Sequence, residues 1–402
     1  MSHDDRPEVL DLGMVDEPDA SPAEPSRSRP PDVRRRGLLV LAGVAVLGGG
    51  AALVRSRGSA PPATAAKPTP TASPRPSPIR LPAGWVVMTQ LPEPPLDGRR
   101  LDLFGFSDSA IVRVEIATGR VTRTSMPALA DVGLSFVPVR GGVLVHRDDG
   151  GATYLVPDGH GPKEAAPGLA GSGPMLPGPD LDHVWVSDAS GGTPVLRLVG
   201  LDGRATGPLV DLPRYTAFQS VPDGGGYALV YGLGGAYWAR PQGLIRVTTG
   251  AVMASGPTGW LVLDCDDSAT CSAILVDRTG QRRTISGVVA PDAAAGIPVG
   301  PEGALSPDGL TAALYVGDPT RALRLVLVDL ASGERKRTDL TLVGGAVSQS
   351  LVWSPDGRWL FGVDSSARMV AIDPRSGGLQ LLVPDTIVPA LPVVAQIAIR
   401  PV

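Results

Sequence analysis

One pattern occurs twice in succession between Ala304 and Leu382, and it constrains the fold more than any other part of this 402-residue chain. The first copy reads Ser306-Pro307-Asp308-Gly309, an apolar run from Leu310 to Val316, a second run from Leu323 to Leu330, and then Ala331-Ser332-Gly333. About 46 residues on, at a period common to repeat architectures, it returns as Ser354-Pro355-Asp356-Gly357, Trp359 to Val363, Met369 to Ile372 and Pro374-Arg375-Ser376-Gly377. Each copy is turn, strand, turn, strand, turn. Such a unit cannot bury its apolar faces alone, so copies must stack around an axis or along a line.

The second kind of turn can be followed through the chain as Ala117-Thr118-Gly119, Pro157-Asp158-Gly159, Leu201-Asp202-Gly203, Pro241-Gln242-Gly243, Arg278-Thr279-Gly280, Ala331-Ser332-Gly333 and Arg375-Ser376-Gly377. Its glycines recur roughly every 43 residues, within the range of four-stranded blades. Glycine there supplies the positive φ that a short hairpin loop needs. An independent series, Pro138, Pro179, Pro222, Pro257, Pro307, Pro355 and Pro401, marks the turn after each innermost strand. Proline presets φ in such a turn, and the Asp that often follows bonds backbone amides. Both series count seven. Gln396 to Pro401 reads as an innermost strand at the end of the chain, whereas the first repeat starts at Leu101 to Phe106 and lacks one. The expectation is an all-β, seven-bladed β-propeller over residues 85–402, closed by pairing of the C-terminal strand with Leu101 to Phe106.

Composition agrees. Gly 51 and Pro 42 with aromatics at 4% suit short strands joined by tight turns. A formal net charge of -4 provides no basic field, so no nucleic-acid partner is expected. Cys265 and Cys271 are the only cysteines, too few for a zinc or iron–sulfur thiolate set.

The N-terminal part reads differently. Residues 1–33 are rich in Asp, Glu, Pro and Ser and predict a disordered, acidic cytoplasmic tail; a docking segment for a cytosolic partner is the alternative. Residues 34–57 hold Arg34-Arg35-Arg36 and the uncharged run Gly37 to Val54, near the lower limit for spanning hydrocarbon. The arginines predict a transmembrane anchor with its N-terminus in the cytoplasm. Arg35-Arg36-Gly37-Leu38-Leu39 also resembles a twin-arginine export signal, with Ala63-Thr64-Ala65 as a cleavage site, and a buried core helix is a third reading. Residues 58–84, rich in Pro, Ala, Ser and Thr, predict a semi-extended stalk that lifts the propeller from the bilayer.

Candidate sites are few. Cys265 and Cys271 flank a loop between a second and a third strand, where a structural disulfide is expected outside the cell; the spacing is not that of a Cys-x-x-Cys redox pair. Asp108, Asp148, Asp188, Asp266, Asp318 and Asp364 fall in or near the equivalent connections of other repeats. Asp is a good turn residue, which accounts for them structurally. The functional reading is a ring of carboxylates at one rim, attracting a cation or a basic peptide. No stretch matches a calcium loop, a His-Glu zinc motif, a Gly-x-Ser-x-Gly elbow or a phosphate-binding loop, so no catalytic residue, metal or cofactor is expected. Trp185, Trp260 and Trp359 fall on second strands and predict packing between blades. The links His160 to Met175 and Ser286 to Gly303 are longer than turns require and predict a partner surface or simple insertions.

Ser-Pro-Asp-Gly followed by two strands and Asp329-Leu330-Ala331-Ser332-Gly333-Glu334 resembles the WD40-like repeat of TolB-type propellers. The resemblance covers Ala304 to Leu382; the other five repeats share only turn spacing. It implies a propeller serving as scaffold, peptide binder or accessory domain, and says little of activity. The sequence to Val402 holds no following α/β-hydrolase domain of the prolyl-oligopeptidase kind, so that family's catalytic residues are not expected here. The expectation is therefore a monomeric, non-catalytic binding or scaffold propeller outside the cell, tethered to the membrane by a single N-terminal helix and recognising an envelope protein, peptide or polymer. The alternatives are a propeller hydrolase or lyase with its site at the channel mouth, and a spacer without ligand.

Overall fold

Short alternating runs punctuated by Gly and Pro fold as antiparallel meanders, in which each strand pairs with its neighbour in sequence. The computed structural model describes residues 85–87, 90–95, 101–106, 110–126, 134–147, 150–188, 193–213, 216–220, 228–232, 234–265, 271–286, 288, 303–318, 322–343, 351–382 and 396–401. The predicted tail, anchor and stalk lie outside these residues. Among the described residues no helix is long and apolar enough to cross a membrane.

β1 (Val86–Val87) precedes the meanders. The first contains β2 (Leu101–Phe106), β3 (Ala110–Glu115) and β4 (Arg120–Ser125). The second is β5 (Leu134–Val139), β6 (Gly142–Arg147), β7 (Thr153–Pro157) and β8 (Lys163–Glu164). The third is β9 (Met175–Pro177), β10 (His183–Asp188), β11 (Val195–Gly200) and β12 (Val210–Asp211). The fourth is β13 (Ala217–Ser220), β14 (Ala228–Gly232), β15 (Gly235–Arg240) and β16 (Gly243–Thr248). The fifth is β17 (Ala251–Gly256), β18 (Gly259–Cys265), β19 (Cys271–Asp277) and β20 (Arg282–Ile285). The sixth is β21 (Gly303–Leu305), β22 (Thr311–Asp318), β23 (Ala322–Asp329) and β24 (Arg335–Val343). The seventh is β25 (Val352–Trp353), β26 (Leu360–Val363), β27 (Met369–Ile372) and β28 (Leu379–Leu381). β29 (Gln396–Pro401) then returns to the first meander, antiparallel to β2, from Leu101 opposite Pro401 to Phe106 opposite Gln396.

The architecture is all-β and propeller-like. The described strands form six sheets rather than seven separate ones, because the fifth and sixth meanders merge into one eight-stranded sheet. They join where the innermost strands β17 and β21 run parallel, with Ala254 opposite Gly303 and Ser255 opposite Ala304. Glycine permits this approach: a Cβ at Gly303 would lie 2.4 Å from the Met253 carbonyl oxygen, and one at Gly256 2.6 Å from that of Leu305. A second departure from expectation is β1, which lies parallel to β28 as a fifth strand on the outer edge of the seventh meander.

Among the described residues the predicted turns are formed with two exceptions, Pro138 and Pro401, the latter lying within β29 opposite Leu101. Gly119, Gly159, Gly203, Gly243, Gly280, Gly333 and Gly377 all have positive φ. Pro138, however, lies within β5 opposite Val143, and the turn that follows is made by Arg140 and Gly141, the latter at φ 71. Pro222 lies outside the described residues.

Each apolar cluster combines residues from two consecutive meanders. Phe104 and Phe106 meet Phe136 and Val145; Leu144 meets Val184 and Val186; Trp185 meets Val230 and Ala239. Leu229 and Val247 meet Trp260 and Val262, and Leu261 meets Leu314 and Val326. Tyr315 and Leu325 meet Trp353 and Leu360, and Phe361 and Met369 meet Leu103 and Val114 of the first meander. The aromatic contacts are specific: Phe106 stacks on Phe136 at 5.2 Å between centroids, and Phe104 meets it edge-on at 6.4 Å. Such pairs add about 0.5–1.5 kcal/mol to the area they bury.

Candidate functional site

Each meander has two ends that carry different chemistry. One end holds the turns between first and second and between third and fourth strands, and its polar groups are spent on closing turns. Ser306 Oγ donates to Asp308 Oδ1 at 2.6 Å and accepts the Thr311 amide at 2.9 Å; Ser354 and Asp356 repeat the hydroxyl-to-carboxylate bond at 2.7 Å. The Asp329 carboxyl is held below the usual aspartate range by the amide and then the hydroxyl of Ser332. The Asp277 carboxyl is lowered likewise, first by the Thr279 hydroxyl. Across meanders, Arg140 forks onto Asp182 at 2.6 and 2.8 Å, which lowers the Asp182 carboxyl.

Two denser assemblies sit at the same end. Arg400 on β29 is 2% exposed. One guanidinium nitrogen donates to the Val139 and Gly142 carbonyls at 3.1 and 3.0 Å, the other to the Asp102 and Asp158 carboxylates at 2.6 Å each. Arg113 donates to the same Asp102 oxygen at 2.9 Å. The second assembly is aromatic: the Arg278 guanidinium lies 3.9 Å from the Trp260 ring centroid and 5.0 Å from that of Trp238, while its Nε donates to the Pro257 carbonyl at 3.1 Å. Both tie one meander to the next.

The other end, where second strands pass to third strands, is where the sequence places its carboxylates. Asp188 ends β10 and accepts the Ser172 hydroxyl at 3.0 Å, Ser172 lying in the long link that precedes β9. Asp318 ends β22. Asp364 follows β26 and is buried; its Oδ1 accepts the Ser366 and Arg368 amides at 2.9 Å each, and its Oδ2 accepts Arg368 Nε and Nη2 at 2.8 and 2.6 Å. Its lone pairs thus shape its own turn, which carries Ala367 at φ 59, among the described residues the sole non-glycine with positive φ. Asp108, Asp148 and Asp266 lie outside the described residues.

The register sets Cys265 opposite Cys271, and Cys271 is disulfide-bonded, so the β18–β19 loop is covalently clamped at its base. Beside it stands Asp264, which sequence reasoning passed over. Its Oδ1 accepts the Thr248 hydroxyl at 2.7 Å, and its Oδ2 pairs with Arg282. Asp188, Asp264, Asp318 and Asp364 therefore lie at, or within one residue of, the ends of second strands in four meanders. His146, near the end of β6, is fully buried between Thr153 Oγ1 at 2.8 Å and the Gly173 carbonyl at 3.1 Å, where it holds the long link in place. Among the described residues no group of three or more His, Cys, Asp and Glu is arranged to hold a metal ion.

A chain of successive β-meanders whose last strand joins its first sheet defines a propeller-like protein. No family model matches the chain, and no curated protein matches it in sequence. Solved structures with a similar chain path include TolB from Acinetobacter baumannii, with a TM-score of 0.36 and 11% identity over 70% of this chain; the chain spans 62% of that protein's length. An oligogalacturonate lyase in complex with manganese gives 0.46 and 12% over 67% of this chain and 84% of that one. A puromycin-hydrolyzing peptidase of Mycobacterium tuberculosis gives 0.44 and 16% over 71% of this chain and 53% of that one. What these proteins bind or cleave is theirs; the fold here is defined by its own strand pairing.

Proposed function

We propose that residues 85–402 form a seven-bladed propeller closed by β29, acting as a monomeric, non-catalytic recognition module outside the cell. A single N-terminal helix within residues 34–57 tethers it to the membrane, and its ligand is an envelope protein, peptide or polymer. The seven clusters between consecutive meanders, the last returning to the first, support the blade count. The disulfide at Cys271 supports an oxidising compartment.

The observation that carries the recognition reading is the repeated carboxylate at the end of second strands, set among turns already fixed by the disulfide and by the Asp364–Arg368 pair. Fixed loops lose little freedom on binding, and Asp264 and Asp364, each set against an arginine, offer a ligand fixed polar groups of both signs. The test places a photo-crosslinking residue at position 188 and, separately, at position 332 on the opposite end, in intact cells. Position 188 is expected to capture a defined envelope component, with capture lost on Asp264→Lys, and position 332 is not. Equal capture from both ends, or a stoichiometric metal in elemental analysis of the purified protein, contradicts the reading.

A further inference from the structure

We propose that the outer edge of the seventh meander and its seam with the first form a second recognition groove, separate from the acidic end, for an extended peptide carrying an apolar residue two positions before a carboxylate. The protein's own residues 85–87 and 90–95 occupy this groove in cis. The segment has no counterpart in the repeats, and its contacts are those of a bound peptide rather than of a blade. β1 contributes two residues of parallel main-chain pairing to β28, Val86 opposite Gln380 and Val87 opposite Leu381. Leu91 then enters an apolar pocket with Leu103, Val114, Phe361 and Met369 and is 2% exposed. Two positions on, Trp359 Nε1 donates to the Glu93 carbonyl at 2.7 Å, Arg358 Nη1 donates to the Pro94 carbonyl at 3.3 Å, and Arg358 Nη2 meets the Glu93 carboxylate.

An indole N–H and a guanidinium that grip main-chain carbonyls, one pocket for an apolar anchor and the same arginine for an acid are elements by which grooves read short linear segments. Arg358 supplies the charge complementarity: its side chain is 18% exposed, whereas that of Glu93 is 63% exposed, so the cation belongs to the groove and the anion to its occupant. The cis occupant is also imperfect. Gln380 Oε1 is buried without a hydrogen-bond partner directly across from Val86, and neither valine of β1 has a side chain that can donate to it. A buried acceptor left unmade is unfavourable, so a segment with Thr, Ser or Asn at the Val86 position fits better than the chain's own. Val86 itself is 52% exposed, and two paired residues make a weak strand. A short covalent connection gives the cis segment a millimolar effective concentration, which masks the groove until the segment is weakened or outcompeted.

The test uses the full chain and a fluorescein-labelled peptide with the sequence of residues 85–95, read by fluorescence anisotropy. Glu93→Ala in the protein is expected to raise peptide affinity at least tenfold over the unaltered chain, and Leu91→Ala to do the same. Adding Arg358→Ala to either is expected to abolish the gain, and a peptide with Thr at the Val86 position is expected to bind severalfold more tightly than the native sequence. Thermal melts confirm folding; if Leu91→Ala fails to fold, the variant at the exposed Glu93 still decides. A folded Glu93→Ala protein that takes up peptide no better than the unaltered chain, or binding indifferent to Arg358, overturns the groove and leaves residues 85–87 and 90–95 as a structural strap. Crosslinking at position 188 is unaffected either way, so the two readings fail separately.

Discussion

The Arg400 guanidinium is out of water only because two carbonyls and two carboxylates converge on it, from residues as far as 298 and 242 positions away in sequence. Replacing it by Ala leaves both carboxylates to Arg113 alone, Asp102 at 2.9 Å and Asp158 at 3.9 Å. Loss of one member of a buried charge network typically destabilises by about 3–5 kcal/mol, and urea unfolding of Arg400→Ala is expected to show a loss of that size. Arg400→Met, which keeps the volume, is expected to lose less. Ala367→Gly is expected to stabilise by about 0.5–1 kcal/mol, because glycine has no Cβ to clash in the left-handed conformation that alanine holds here. The turn aspartates set an acid limb. With folded values held down, Asp277 and Asp329 add stability above the ordinary aspartate pKa of about 4 and lose it as pH falls through their folded values. Melts of Asp329→Asn should therefore differ from the unaltered protein at neutral pH and converge with it in acid. Residues like these mark the reach of sequence reading. The place of Asp364 at a second-to-third turn was legible from spacing, but its burial depends on Arg368 folding back onto it, and the role of Arg400 needed a partner set that no local pattern contains.

At the level of elements, turn chemistry was the most legible layer, because it is local. Seven glycines placed by spacing alone all take positive φ, and the Ser-Pro-Asp-Gly copies form the same hydroxyl-to-carboxylate bond. Pro138 misled because proline is also tolerated in a strand whose amide is not needed, and the true turn lay two residues further on. β1 was illegible for a different reason: a two-residue strand has no period, and its partner β28 comes from the far end of the chain. The disulfide belongs to this scale. It closes a loop of few residues, for which the chain-entropy relation gives about 2 kcal/mol. Cys265→Ser with Cys271→Ser is expected to lower stability by that amount in denaturant titrations and to open the loop between the two positions to protease while the rest of the meander resists.

For the whole molecule, the decisive contact is long-range. A linear stack of meanders would leave β2 as an open edge; β29 covers it, and Leu103, Val114, Phe361, Met369, Ile397 and Ile399 then share one buried cluster. That return was readable from a repeat lacking its first strand and a chain end supplying one. The merging of the fifth and sixth sheets was not, because it depends on two glycines letting main chains approach. Closure also predicts cooperativity, since every cluster is shared by neighbours and no meander can open without exposing two. The most direct test is hydrogen exchange by mass spectrometry on the intact chain, comparing the amides of 396–401 with those of 101–106. Closure predicts that the two segments are protected to the same extent and lose protection together as denaturant is raised; rapid exchange over 396–401 while 101–106 stays protected would contradict it.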